Sequence, residues 1–279
     1  MRKAEEIFFK ILMIASSFFI LGILLFILFV IFRKGLPALD WDMVSKIPSG
    51  GFYLGKEGGV LNAIVGSIYL IIGAVILSLT LSIPVVMYLN FYLKKKSYFA
   101  SFARFTFDIL FGIPSIVYGA FGFTLMIFLG IRASLFGGIV IIAMLITPIM
   151  IRAMDEVAAL VPNELVEAPK ALGATNYETI KILLRQLLPG ITSAVLLAVG
   201  RGIGDAATVL FTAGYTDSIP TSLSQPAATL PLAIFFQLSS PIEEVQNRAY
   251  ASAVILTFII LVLSFLSRYL TRRLSKHRI

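Results

Sequence analysis

Long apolar runs separated by short polar segments organise this chain of 279 residues. Six of them lie at 8–32, 60–93, 102–130, 135–151, 191–214 and 250–270, and each reaches the roughly 17–25 residues that cross about 30 Å of hydrocarbon. The pattern predicts an all-α, polytopic membrane protein with six transmembrane helices. The first run follows Met1-Arg2-Lys3, as in a signal peptide, but it exceeds the apolar region of about 7–15 residues found there and no small-residue cleavage site follows. A retained span is expected. The second, third and fourth runs carry Pro84, Pro114 and Pro148, with Gly112, Gly119 and Gly122 beside Pro114. Proline removes a backbone donor and kinks a helix, which a bundle tolerates where neighbours or cavities satisfy the freed carbonyls. These residues fit either irregular packing or a movable path, and alone they do not choose between them.

Two polar segments are too long to be turns. The first, 215–247, contains Pro220, Pro226, Pro231 and Pro241. Its apolar stretch at 227–238 predicts a short amphipathic or re-entrant piece, either simply interfacial or part of a gate. The second, 152–189, has two helix starts and a break. Asn163 after Pro162 fits an N-cap, with Glu164 in the first turn, where the helix dipole favours an acid. Gly173 fits the C′ position that ends this helix. Thr175 and Glu178, three residues apart, form a capping box that opens a second helix. Leu160, Leu165, Ala168 and Leu172 give the first helix an apolar stripe that requires cover from the bundle or from a partner protein.

Composition supports the membrane reading. Hydrophobic residues make up 58% and charged residues 14%, against about 25% charged in soluble domains, too few charges to coat a soluble globule of this size. Disordered, collagen-like, coiled-coil and disulfide-scaffold classes are excluded. The chain has no Cys, and its one His is His277 in a basic tail, so thiol chemistry, His-based catalysis and a metal centre are not expected. Sorted by side, the net charge of +8 is a topology signal and not the mark of a nucleic-acid partner. With the N-terminus inside, the inner segments hold 16 of the 23 Lys and Arg, the outer segments hold six, and Arg201 falls within the fifth run. The bias places both termini in the cytoplasm.

The fifth run is unusual. Arg201, Asp205, Thr208 and Thr212 are spaced 0, 4, 7 and 11, so in a continuous helix they share one face. An Arg or Asp at the centre of a span costs roughly 2.5–3.5 kcal/mol on insertion scales, which a mutually neutralising pair facing the bundle interior offsets. The pair is either a structural lock between helices or a stripe that handles an anion. Gly200, Gly202 and Gly204 are expected to serve close helix packing. In the third run, Asp108 stands near Arg104, and a local pair between them is expected.

At this point the residues resemble a known family. Glu167-Ala168-Pro169, three residues, then Gly173 resembles the EAA-xxx-G signature of membrane subunits of binding-protein-dependent ABC importers, with Pro169 in place of the second Ala. A distal Leu-Pro of that signature has its counterpart in Leu188-Pro189, slightly later than usual. Over about 60–270, the segment Phe111-Gly112-Ile113-Pro114-Ser115-Ile116-Val117-Tyr118-Gly119 resembles the G-I-P-S-x-V-x-G segment of phosphate importer permeases. The stretch Arg201-Gly202-Ile203-Gly204-Asp205-Ala206-Ala207 resembles their R-x-x-G-E-(T/A)-A segment, with Asp205 where the family has Glu. Gln225-Pro226, Leu230-Pro231 and Ile234-Phe235 are closer to PstA-type subunits than to their PstC-type partners.

The resemblance implies a type I ABC importer permease architecture. Residues 1–59 would form an N-terminal transmembrane helix and outer loop, 60–270 the permease domain, and 271–279 a basic cytoplasmic tail. It implies a coupling helix near 163–173, with Glu167, Ala168 and Gly173 docking to an ATPase. It also implies a substrate path containing Arg201, Asp205, Thr208 and Thr212. The implied partners are a homologous PstC-type permease subunit, two ATP-binding subunits and an extracytoplasmic phosphate-binding protein, in the plasma (inner) membrane. The chain has no G-x-x-x-x-G-K-[ST] stretch, so ATP would be bound by the partner and the chain itself would need no cofactor and no catalytic residues. Within the class, an importer for another oxyanion or solute is the alternative. From a different class, an integral-membrane enzyme acting on phospholipid headgroups would use Arg and acidic groups near the membrane. Such an enzyme needs several clustered carboxylates or a His, whereas only Asp108 and Asp205 lie inside the runs here. A channel or secondary transporter would not need the capped cytoplasmic helix pair.

Overall fold

Leu61 to Met87 contain a single charged-residue-free run that forms one helix despite Pro84, and they set the axis of the bundle. The chain is described from a computed structural model, which covers residues 2–49, 57–93 and 97–275. Helix α1 (Arg2–Gly35) precedes a short outer segment holding α2 (Trp41–Ser45) and the two-residue strands β1 (Pro48–Ser49) and β2 (Glu57–Gly58). The strands pair antiparallel, with Pro48 opposite Gly58. Asp40 caps α2, its side chain accepting from the Met43 N–H at 2.7 Å. Helix α3 (Leu61–Met87) runs on through a π-helical turn at Tyr88–Tyr92. Then come α4 (Tyr98–Gly112), α5 (Ser115–Phe128), α6 (Leu135–Ala159), α7 (Glu164–Ala171), α8 (Asn176–Ile203), α9 (Leu230–Leu238) and α10 (Glu243–Ser275).

Helices α3, α6 and α8 enclose the core, where Ala74, Ile142, Ile146, Met150 and Ala198 are fully buried. Small residues allow the close approach on which helix association in lipid depends. A Cβ on Gly202 would lie 2.8 Å from Ile71 Cδ1 and 3.3 Å from Ile142 and Ile146. Helix α9 lies within the 227–238 stretch expected to hold a short amphipathic or re-entrant piece. Ala227, Ala228 and Leu230 are completely buried, and the Leu230 N–H donates to Ser67 Oγ of α3 at 2.8 Å. Helix α1 stands apart from the core. The most apolar stretch of α1 has no buried residue, as suits a lipid-facing span, and α1 meets the bundle where Gly35 is seated against Tyr250 and Val254 of α10.

The spans depart from the six expected runs in two places. Among the described residues five helices are each long and apolar enough to cross a membrane, and the sixth span exists only as the pair α4 and α5, bent by 98°. The single span expected across 102–130 is therefore built from two helices. The cause is local: proline disfavours helical dihedrals in the residue before it, and Ile113 before Pro114 is extended at φ −72°, ψ 130°. Pro84 and Pro148, by contrast, are carried inside α3 and α6. The second departure is the fifth run. Its helix starts at Asn176, passes through Pro189 and ends at Ile203, so 204–214 are not helical. At the C-terminus α10 extends to Ser275, and 276–279 of the basic tail lie outside the described residues.

Candidate functional site

The end of α8 builds the site. Gly200, Gly202 and Gly204 are weak helix formers, and the carboxylate of Asp205 competes for the backbone as short polar side chains do. Asp205 Oδ1 accepts the Thr208 N–H at 2.8 Å, while Oδ2 accepts from Arg201 Nη1 at 2.8 Å. Both carboxylate oxygens are thus engaged and the side chain is 3% exposed, whereas that of Arg201 is 46% exposed. The acid is fixed below and the guanidinium projects outward. Its one hydrogen bond among the described residues is the one to Asp205.

The four residues do not share a helical face, which corrects the expectation from their spacing. The helix ends before Asp205, and the stripe becomes a buried turn. Thr208 and Thr212 are fully buried. The Thr212 hydroxyl donates to Thr208 O at 2.9 Å, and the Thr208 hydroxyl donates to Ser115 O at 3.3 Å. The glycines are corrected as well: nothing lies within 4 Å of a Cβ built on Gly200 or Gly204, and only Gly202 packs closely.

From Gly202, beside the middle of α6, residues 204–214 climb without regular structure to the start of α6. There the Ser134 N–H donates to Thr212 O at 3.0 Å, and the Leu135 N–H donates to Gln225 O at 2.7 Å. Irregular backbone at membrane depth is tolerated only where protein buries it or where it lines a cavity. The break between α4 and α5 meets this turn, with a Cβ on Gly119 falling 2.7 Å from Ala207 O. The Tyr118 hydroxyl donates to Leu110 O at 2.9 Å, which also accepts the Ile113 N–H at 3.2 Å, so α5 is tied back to the last turn of α4. Two interrupted helices therefore abut beside Arg201.

At the end of the bundle expected to face the cytoplasm, α7 and the start of α8 form the expected corner. The Gly173 N–H donates to Lys170 O at 3.0 Å and the Ala174 N–H to Pro169 O at 2.9 Å, a Schellman ending with Gly173 at φ +85°. Thr175 and Glu178 form the capping box in both directions. Asn163 occupies the N-cap with helical dihedrals and its side chain does not cap the helix. No residue of α7 is buried. Leu160 is 81% and Leu172 89% exposed, so the bundle does not cover the apolar stripe, and Glu167 and Ala168 stand exposed within it.

The composition of the spans gave no hint of a third feature. Arg104 of α4 does not pair with Asp108. It makes a two-pronged contact with Asp155 of α6, Nε to Oδ2 at 2.8 Å and Nη2 to Oδ1 at 3.0 Å. Asn90 Nδ2 donates to Asp155 Oδ1 at 2.7 Å, and Arg104 Nη2 donates to Asn90 Oδ1 at 3.2 Å. Asp108 pairs instead with Arg152 at 3.4 Å, on the surface. The usable signal was the position of Asp155 at the apolar end of α6, four residues before the helix stops.

Residues 83–277 match the family described as binding-protein-dependent transport system inner membrane component. The chain belongs to this family. The permease is similar to the phosphate transport system permease protein PstA of Yersinia pestis, 35% identical over 268 residues that cover 96% of this chain and 90% of that protein. It is also similar to the protein of the same name in Haemophilus influenzae, 34% identical over 88% of this chain and 86% of that protein. Its fold is similar to that of a chain in an inward-facing structure of the MetNI methionine ABC transporter, with a TM-score of 0.61 and 18% identity. That match covers 77% of the permease and 95% of the solved chain. The permease is a multi-pass membrane protein of the type I importer fold and a transport component of an ABC complex, and its relatives give no support to a headgroup enzyme.

Proposed function

We propose that this permease is the PstA-type subunit of an importer that carries inorganic phosphate inward across the plasma membrane. The observation that carries the reading is similarity to PstA proteins at 34–35% identity over nearly the whole chain, and the chemistry of the α8 end agrees with it. An anion entering a low-dielectric bundle needs a compensating positive charge. The guanidinium of Arg201 offers forked donors that match phosphate oxygens, and it is half exposed beside two broken helices. A permanent complex would block transport. Asp205, held by the Thr208 N–H at 2.8 Å of Arg201's neighbouring turn, reclaims Arg201 as the anion leaves. Thr208 and Thr212 shape the turn that carries this carboxylate.

Energy would come from a partner. The exposed α7 corner, with Glu167, Ala168 and Gly173, docks to one of two ATP-binding subunits, which bind the ATP, so the permease needs no cofactor of its own. A PstC-type subunit completes the path and a phosphate-binding protein delivers the substrate from outside. Both termini are cytoplasmic, as the Lys and Arg bias requires. The deciding experiment is ATP-dependent uptake of labelled phosphate by the reconstituted complex with sulfate as competitor. Uptake that phosphate dilutes and sulfate does not is expected. Uptake abolished equally by sulfate would defeat the phosphate assignment.

A further inference from the structure

The Arg104–Asp155–Asn90 cluster has no part in the function derived so far, and its position gives it one. Each residue comes from a different element: Asn90 from the π-helical turn that ends α3, Arg104 from α4, and Asp155 from the cytoplasmic end of α6. The Asp155 side chain is 9% and that of Arg104 31% exposed, and the Arg–Asp contact is bidentate with every Asp155 oxygen engaged. A buried pair of this kind is weak evidence for stability, because desolvation offsets the attraction. Its best-attested use is to fix register between elements.

What it fixes is visible in the surroundings. The cluster lines a cavity of ≈ 430 Å³ together with Val161, Asn163, Val166 and Glu167 of the α7 region. The coupling corner is therefore not packed solidly on α4. It faces α4 across a space, and the polar cluster is the firm joint between α6, which leads into α7, and α4. Helix α4 leads in turn to the break at Ile113-Pro114, and Ser115 just beyond accepts the hydroxyl of Thr208 in the Arg201–Asp205 turn.

We propose that Arg104 and Asp155, with Asn90, are positioning residues for transport, holding α4 to the end of α6 so that displacement of the coupling corner reaches the turn below Arg201. Neither residue touches the anion. The proposal rests on the reading of the chain as an importer permease.

The test uses the full complex in proteoliposomes. The chain has no cysteine, so spin labels at Tyr98→Cys in α4 and Tyr177→Cys in α8 report one distance. In the native background that distance stays constant when ATP is added, because α4 follows the corner. In Arg104→Gln and in Asp155→Asn it becomes ATP-dependent, and phosphate moved per ATP hydrolysed falls about tenfold, within the usual range of site-to-site coupling. Arg104→Lys, which keeps the charge without the fork, recovers part of that ratio. If the single variants do not assemble, the apolar pair Arg104→Met/Asp155→Leu, which removes both charges together, carries the same two measurements. A native distance that already changes with ATP overturns the proposal. So does an assembled variant with native distance and native phosphate-to-ATP ratio, which would leave the cluster a purely structural role. A wild-type complex that moves no phosphate counts against the phosphate reading alone, since the label distance does not depend on the solute.

Discussion

The hydroxyl of Thr208 donates to the carbonyl of Ser115, 93 residues earlier in the chain, at 3.3 Å. This contact joins the two interruptions of the bundle, the α4–α5 break and the turn after α8. The side chain of one interruption thus bonds the backbone of the other. Thr208→Val keeps the shape and removes the donor. It is expected to destabilise the purified permease by about 0.5–1.5 kcal/mol, measured as a lower thermal midpoint in detergent. An unchanged midpoint would mean that the breaks are held by packing alone.

The glycines separate packing from flexibility. A Cβ on Gly119 would meet Ala207 O at 2.7 Å, a backbone atom that has little room to yield, whereas one on Gly200 meets nothing within 4 Å. Gly119→Ala should therefore cost about 1–3 kcal/mol of overpacking. Gly200→Ala, inside α8, should be neutral or stabilising by roughly 0.5–1 kcal/mol. Parallel melting curves of the two variants decide this, and the reverse order would show that the contact between α5 and the turn is wrongly drawn.

For Arg201 the expected outcome is functional. Arg201→Gln removes the charge from a side chain that is 46% exposed, so assembly persists while phosphate uptake is lost. Asp205→Asn has a second consequence. The amide oxygen still accepts the Thr208 N–H, but Arg201 loses its counter-charge and holds the anion longer. Uptake in Asp205→Asn should fall with phosphate retained on the complex, measured by filter binding beside the transport assay. Normal uptake by Arg201→Gln would return the pair to a structural lock.

The corner between α7 and α8 depends on one backbone conformation. Gly173 has φ +85°, and a Cβ built on it meets nothing within 4 Å. The penalty for Gly173→Val is therefore conformational, about 1–2 kcal/mol for a β-branched residue in the left-handed region, and Gly173→Asn should be much milder. Thr175→Ala removes the cap of α8 at a cost of about 1 kcal/mol. Proteolytic sensitivity of the 160–178 segment should rise in the order Asn, Ala, Val, and equal sensitivity of all three would contradict the Schellman ending.

Local signals in the sequence predicted these cytoplasmic features well. Capping boxes and C′ glycines act over three or four residues, so Thr175, Glu178 and Gly173 could be placed from the chain alone. The long apolar runs likewise predicted the spans, because hydrocarbon thickness is a one-dimensional constraint. Helix continuity failed at Pro114 and Gly204, where the choice between kink and break depends on whether another segment satisfies the freed backbone. Pro84, Pro148 and Pro189 stayed inside helices, and Pro114 did not: Ile113 before it is extended, and the carbonyls on either side, Leu110 O and Ser115 O, accept from the hydroxyls of Tyr118 and Thr208. The Arg104–Asp155 contact was misread for a related reason. Sequence proximity favoured Asp108, four residues away, yet the bidentate partner lies 51 residues away on a helix packed alongside.

The apolar stripe of the corner makes the clearest prediction about a partner. Leu160 and Leu172 are 81% and 89% exposed, no residue of α7 is buried, and Glu167 stands between them on the exposed side. With the corner in the cytoplasm, as the Lys and Arg bias predicts, lipid does not cover the stripe and a protein surface must. A buried leucine at the centre of such an interface contributes on the order of 1–2 kcal/mol, so Leu172→Glu should weaken binding of the ATP-binding subunit by roughly five- to thirtyfold. Glu167→Lys should act in the same direction through charge. Leu223→Glu, an equally drastic change at a leucine that is 56% exposed on the outer loop, should leave that binding untouched. Co-purification and titration of the ATPase against detergent-solubilised permease measure all three. Equal affinity for Leu172→Glu and the native chain would mean that the ATPase docks elsewhere and that the stripe serves another partner.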